Sequence, residues 1–195
     1  MLGTVLESSE PAPSFRLQDQ FGRSVALGDY SGKVVALTFL YTYCLDICPI
    51  VAGHLQRTHQ MLGDGAREVA FVAVSVDPVR DTVDAAYDYS QKWGMLHNWS
   101  FLVGDEERLS PVWKGYYIAP TVDDRVRSDA LAEADVDRGE HGSVGALRRD
   151  MASEYLVSHS APVYLIDRAG LMRVIFTLPF DPADLAHDIR LLLDS

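Results

Sequence analysis

Cysteine is scarce in this chain: two in 195 residues. That is too few for a disulfide scaffold, and no Cys/His spacing resembles a zinc finger. Long apolar runs are absent as well, none reaching the roughly 18 residues of a membrane-spanning helix. The opening Met1-Leu2-Gly3-Thr4-Val5-Leu6-Glu7 lacks the basic-then-apolar order of a secretory signal. Positive charge is short, with 17 Lys and Arg against 28 Asp and Glu for a formal net charge of −11. Such a surface argues against nucleic acid as a partner and favours cationic partners or metal ions. The rest is ordinary: 48% hydrophobic and 23% charged residues, over a length that suits one domain with a sizeable core.

Both cysteines fall in one stretch. Val34 to Leu40 is nearly all apolar, as in a strand buried on both faces of a sheet. It leads into Tyr41-Thr42-Tyr43-Cys44-Leu45-Asp46-Ile47-Cys48-Pro49. Proline is tolerated in the first turn of a helix, so a helix is expected to begin at or just before Pro49. Ile50, Val51, Leu55, Thr58, Met61 and Leu62 continue at helical spacing, and Gly63 supplies the stop. Cys44 and Cys48 therefore sit between a strand's carboxyl end and a helix's amino end, where orphan N–H groups favour a thiolate. Their spacing lets the sulfurs share a disulfide or one metal ion. The plainer reading is two buried cysteines acting as small hydrophobes, or one structural disulfide.

Taken in order, residues 1–14 read as an N-terminal tail and residues 15–195 as the domain. Phe15 to Val25 forms a hairpin turning at Asp19-Gln20-Phe21-Gly22, and Leu27 to Gly32 a loop. Val69 to Val76 is a second buried strand, ending in Asp77-Pro78-Val79-Arg80-Asp81-Thr82, where Asp81 or Thr82 can cap the next helix. That helix stops near Trp93 and Gly94. Trp99 to Gly104 is a third strand, and Asp105 to about Tyr117 a third helix. Between 121 and 154 stand nine acidic and five basic residues, three glycines and no aromatic, read as a solvated acidic insertion spanning about 119–154. Val163 to Asp167 and Leu171 to Phe176 form a last hairpin, and Asp181 caps a final helix. The order βαβαβα, then hairpin and helix, predicts an α/β three-layer fold of thioredoxin-like type with a central mixed β-sheet and the cysteine strand in its middle.

Six histidines could complete a site with the thiols. His54, His59, His97, His141 and His187 read as structural or surface residues, with His59 expected to be solvated. His159 precedes a core strand, so its backbone is anchored, and in a thioredoxin-like sheet that loop faces the cysteine turn. Asp77 ends the strand beside the cysteine strand. It is a candidate for supporting the site from a second shell, or for merely capping its own turn.

Three segments together carry a family resemblance. Thr42-Tyr43-Cys44-Leu45-Asp46-Ile47-Cys48-Pro49 is similar to the Cys-x-x-x-Cys-Pro motif of the Sco/SenC copper proteins. Ser75-Val76-Asp77-Pro78-Val79-Arg80-Asp81-Thr82 resembles their second signature. His159-Ser160 followed by Val163-Tyr164-Leu165-Ile166-Asp167 and Gly170 resembles their third, in register from about Ala12 to the carboxyl end. The resemblance implies a thioredoxin fold holding copper through Cys44, Cys48 and His159. It also implies a metallochaperone role in assembling the dinuclear copper centre of cytochrome c oxidase. The partner would be the copper-centre subunit or another copper-carrying protein. An extracytoplasmic location is implied too, with membrane anchoring through an N-terminal segment outside this sequence. Leu45 stands where the family often has Pro, and Ser158 where an Asp commonly precedes the histidine. The insertion is also longer than usual there.

The chemistry agrees: two soft thiolates and an imidazole suit Cu(I) at low coordination number, whereas zinc would want a fourth ligand. The rival function is a thiol–disulfide oxidoreductase, in which Cys44 and Cys48 form a redox-active dithiol that reduces a partner's cysteines. A peroxidase of the peroxiredoxin type fits less well, because a closely paired second thiol suits other roles.

Overall fold

The computed structural model describes residues 1–7, 10–122 and 157–195. The expected insertion at 119–154 lies largely outside the described residues, as does His141. The chain divides into two compact units, residues 1–118 with 160–195, and residues 119–159.

The larger unit is built on a six-stranded mixed sheet of order β1-β10-β9-β4-β5-β6. Its strands are β1 (Thr4–Val5), β4 (Val34–Leu40), β5 (Val69–Ser75), β6 (Ser100–Leu102), β9 (Val163–Ile166) and β10 (Met172–Phe176). The central strand, β4, runs parallel to β5 in register from Val34↔Val69 to Leu40↔Ser75 and antiparallel to β9 on its other side. All seven side chains of β4 and all seven of β5 are buried, as the unbroken apolar runs require when both sheet faces are covered.

Helices α1 (Ile47–Leu62), α2 (Val83–Lys92) and α4 (Pro182–Leu193) cover one face, and α3 (Glu106–Gly115) covers the other. Cross-strand pairing decides the faces. Ala73 pairs with Phe101, so Phe71 and Phe101 point the same way. His59 of α1 meets Phe71, and Tyr89 of α2 meets Phe101. On the opposite face Phe39 packs against Tyr116, just past α3, and Tyr164. A separate hairpin, β2 (Arg16–Gln18) with β3 (Ser24–Ala26), turns where expected. Asp19 holds that turn by accepting from the Phe21 and Arg23 amides. In the smaller unit β7 (Thr121–Val122) pairs with β8 (Val157–Ser158). No helix among the described residues is long and apolar enough to cross a membrane.

Several expectations need correction. The segment 1–14 is not a free tail, because Thr4 and Val5 add an edge strand to β10. The buried carboxylate of Asp188 accepts from the Leu2 and Gly3 amides. Further along, Ala12 and Met172 exchange backbone bonds with Gly170 and Glu10. Two residues of strand carry no hydrophobic period, so the pattern could not reveal it. Leu27–Tyr30 is a 3-10 turn rather than an open loop. His59 is half-buried against Phe71 rather than solvated, since α1 is covered by more than one neighbour.

Gly3 is the close-approach point of the edge strand: a Cβ there would stand 2.6 Å from Val174 Cγ1 and 2.7 Å from Phe176 Cε2. Gly3→Ala should therefore lower stability by about 1–3 kcal/mol, the usual cost of overpacking. It should also speed hydrogen exchange at the Leu6 amide, which donates to Arg173 O. Unchanged denaturant midpoint and unchanged Leu6 protection would show that the segment tolerates the methyl.

Candidate metal and thiol site

The cysteine turn begins where β4 runs out. Leu40 accepts the last ladder bond, from the Val76 amide at 3.0 Å, and the chain then turns through Tyr41–Asp46 into α1. The expected helix start holds: Asp46 is the N-cap residue, and Pro49 falls in the first turn. Asp46 makes no side-chain cap. Instead the Cys48 amide donates to Cys44 Sγ at 3.4 Å, so a sulfur takes the place of a capping oxygen. Both cysteines are free thiols, with Cys44 7% exposed and Cys48 fully buried. Leu45 between them is 89% exposed and Tyr43 54% exposed, so the tip of the turn projects while the sulfurs are recessed.

The two thiols differ in acidity. Hydrogen bonding from the Cys48 thiol lowers Cys44 to about 5, against the opposing effect of burial and with help from the Asp46 and Cys48 amides. Cys48 is pushed far up, by burial first, then by its hydrogen bond to Cys44 and, less, by the charge held there. One proton is in effect shared across the pair, leaving Cys44 as the thiolate. Tyr89 adds a buried phenol. Burial raises its pKa, and charge on Cys48 and Cys44 raises it further; its hydroxyl has no hydrogen-bond partner among the described residues.

The turn after β5 packs beside this one. Asp77 is buried and accepts from the Val79 and Arg80 amides, and it pairs with the Arg80 guanidinium. That guanidinium lies 5.0 Å from the ring centre of Tyr43 and 5.8 Å from that of Tyr41. Asp77 therefore does cap its own turn, and its partner Arg80 reaches the rings of the cysteine turn. The sequence left Asp81 and Thr82 as alternative caps of α2. Thr82 caps α2 by accepting from the Ala85 amide. Asp81 instead accepts from Thr42 N and Oγ1 at 3.0 and 2.7 Å and from Ser75 Oγ at 2.6 Å. A second carboxyl four residues after the first, straight after a buried strand, was the only signal in the sequence. Burial raises Asp81 to about 6, above the ordinary carboxylate range, despite the Ser75 and Thr42 bonds that oppose the shift.

His159 is half-exposed and belongs to the smaller unit, one residue before the chain enters the larger one. Three residues later the Pro162 carbonyl accepts from Thr38 Oγ1 of β4 at 2.9 Å. Of the other histidines, His54 meets Phe180 and His97 stacks on Phe21, while His187 contacts Asp188. Burial lowers the pKa of both His54 and His59. Among the described residues no group of three or more His, Cys, Asp or Glu side chains is assembled as a metal-binding cluster. Cys44 and Cys48 are thus brought together as expected.

A family model described as SCO1/SenC matches residues 4–194. The chain belongs to the SCO1/SenC family. It is 29% identical over 180 residues to the mitochondrial SCO2 homolog of Bos taurus, covering 90% of this chain and 57% of that protein. The chain spans about half the length of the curated relatives it matches. ScoI of Bradyrhizobium japonicum, solved with copper bound, superposes with a TM-score of 0.72 at 24% identity, covering 94% of this chain and 100% of that one. BsSco, a member of the Sco family of cytochrome c oxidase assembly proteins in which a disulfide switch was identified, gives 0.65 at 19% identity. That match covers 97% of this chain and 99% of the other. These likenesses establish the thioredoxin-like Sco fold expected from the sequence.

Two outcomes follow from the acidities. Alkylation of the reduced, metal-free protein by iodoacetamide should modify Cys44 first, with a rate that rises through pH about 5. A midpoint near the free-cysteine value, about 8.5, would contradict the assigned thiolate. Asp81 carries the opposite sign: its folded-state pKa lies above the unfolded one. Its contribution to stability is full below the ordinary carboxylate pKa and is lost as pH rises through about 6. Asp81→Asn should remove that dependence, gaining on wild type by on the order of 2 kcal/mol between pH 4 and pH 7 in urea denaturation. A difference that stays constant with pH would refute the raised value.

Proposed function

We propose that this protein is a copper carrier that holds the ion through the thiolates of Cys44 and Cys48 and a ring nitrogen of His159. The observation that carries the reading is the pair of recessed free thiols at the start of α1, one already held as thiolate. Two sulfurs and an imidazole are a soft and a borderline donor set, which fits Cu(I) at low coordination number. Asp77 supports the site from behind, through Arg80 and the rings of Tyr41 and Tyr43. Copper is cargo here: three protein donors leave the ion open to a recipient's ligands, where a closed four-ligand site would retain it. In this reading the recipient is the copper-centre subunit of cytochrome c oxidase or another copper-carrying protein, met outside the cytoplasm by a membrane-anchored full-length form, and membership of the SCO1/SenC family supports it.

A second reading has its own observation. A thiolate at Cys44 beside a protonated Cys48 is also the arrangement of a dithiol reductant. In that case Cys44 attacks a partner disulfide and releases one partner thiolate. Cys48 then loses its proton and attacks Cys44, so the partner leaves with two thiols and this chain keeps the Cys44–Cys48 disulfide. The same disulfide is expected in air without metal.

Copper titration separates the two. Cys44→Ser and Cys48→Ser should each abolish tight Cu(I) binding, because a hydroxyl does not replace a soft donor. His159→Ala should weaken it while leaving the dithiol able to oxidise. Affinity should fall with pH, since protons compete for all three donors. X-ray absorption without sulfur neighbours to copper would end the carrier reading. Unchanged affinity and spectra in His159→Ala would remove the histidine from the donor set and favour the reductase.

A further inference from the structure

The ladder between β4 and β5 ends at the Val76 amide and Leu40 carbonyl. Tyr41, Thr42 and Tyr43, the three residues that deliver Cys44, follow that last ladder bond. The turn after β5 holds them, and in the middle of that hold is a carboxylate. Asp81, only 4% exposed, gives one oxygen to both donors of Thr42 and the other to the hydroxyl of Ser75. Ser75 Oγ in turn accepts from the Asp77 amide at 3.0 Å, which ties the carboxylate to the end of β5. On either side of Thr42, the Arg80 guanidinium lies against the rings of Tyr41 and Tyr43.

Burying a carboxylate is costly unless it is fully used. This one is spent neither on the sheet, which is already paired, nor on capping α2, which Thr82 does. Its bonds cross from the end of β5 to the residue two positions before Cys44. We propose that Asp81 is the positioning residue of the cysteine turn: acting through Thr42, it fixes Cys44 against the start of α1. It thereby sets how readily the two thiols act as a pair. The inference rests on reading Cys44 and Cys48 as a working pair, and it extends that reading to a residue that touches neither sulfur's partner.

The test uses the full chain, reduced and metal-free, equilibrated with glutathione buffers to give the dithiol–disulfide constant, with far-UV circular dichroism on each variant. Asp81→Ala should shift that constant by about tenfold and Thr42→Val severalfold in the same direction, as expected for coupled neighbours. The double variant should shift it no further than Asp81→Ala alone. Asp81→Asn, which keeps a carbonyl oxygen for Thr42, should return it to within about threefold of wild type. Additive shifts, or an unchanged constant in a folded Asp81→Ala, would overturn the proposal. Should Asp81→Ala not fold, Thr42→Val decides, because it keeps the carboxylate and its Ser75 bond, and no shift there overturns the proposal equally. Glutathione equilibration needs no metal. If Cu(I) failed to bind the wild type in a parallel titration, the carrier reading would fall while this result stood.

Discussion

The full-length parallel pairing of β4 with β5 is the constraint on which the rest of the structure depends. Seven residues on each strand bury every side chain, so both faces of the sheet must be covered. Parallel strands also require a crossover rather than a tight turn. The crossover after β4 is α1, and its entry has to lie at the carboxyl end of the most buried strand. Cys44 and Cys48 stand at that entry. The next crossover, after β5, brings a second turn alongside the first, and the two are joined by Asp81, Thr42 and Ser75. The site is thus where two buried strands end together, the usual place for chemistry in an open α/β sheet.

The electrostatics of that place are uneven by construction. Cys44 receives the Cys48 amide at the start of α1, where helix dipole and orphan N–H groups favour negative charge. Cys48 is one turn inside, fully buried, and faces the charge of its partner. A single negative charge is stabilised and a second is not. For copper binding, the second thiol's proton has to leave as the ion arrives, which makes loading proton-coupled. For dithiol exchange, the same asymmetry designates Cys44 as the attacking group and keeps Cys48 in reserve. Both proposed readings therefore draw on one arrangement, and the proposed histidine donor is what separates them.

Much of this was legible in the residues. Val34–Leu40 and Val69–Ser75 announced themselves as unbroken apolar runs, Pro49 and Gly63 bracketed α1, and the Cys-x-x-x-Cys-Pro spacing marked the turn. The edge strand Thr4–Val5 was not legible, because two exposed residues have no period and their partners lie about 170 positions away. Asp81 and Thr82 both read as candidate caps of α2, because an acid or a hydroxyl before a helix usually is one. Only the neighbouring Thr82, with its hydroxyl on the Ala85 amide, left Asp81 free to turn inward.

The sequence by itself determined the order of the buried strands and main helices, the centrality of the cysteine strand and the place of the paired thiols, since these follow from local hydrophobic period, turn chemistry and residue type. The tertiary structure alone decided which thiol carries the charge, because that depends on burial and on which amide points at which sulfur. It also decided that Asp77 pairs with Arg80 while Asp81 accepts from Thr42. Those choices depend on how the ends of two strands, some 35 residues apart in the chain, are brought side by side, and no local pattern encodes that.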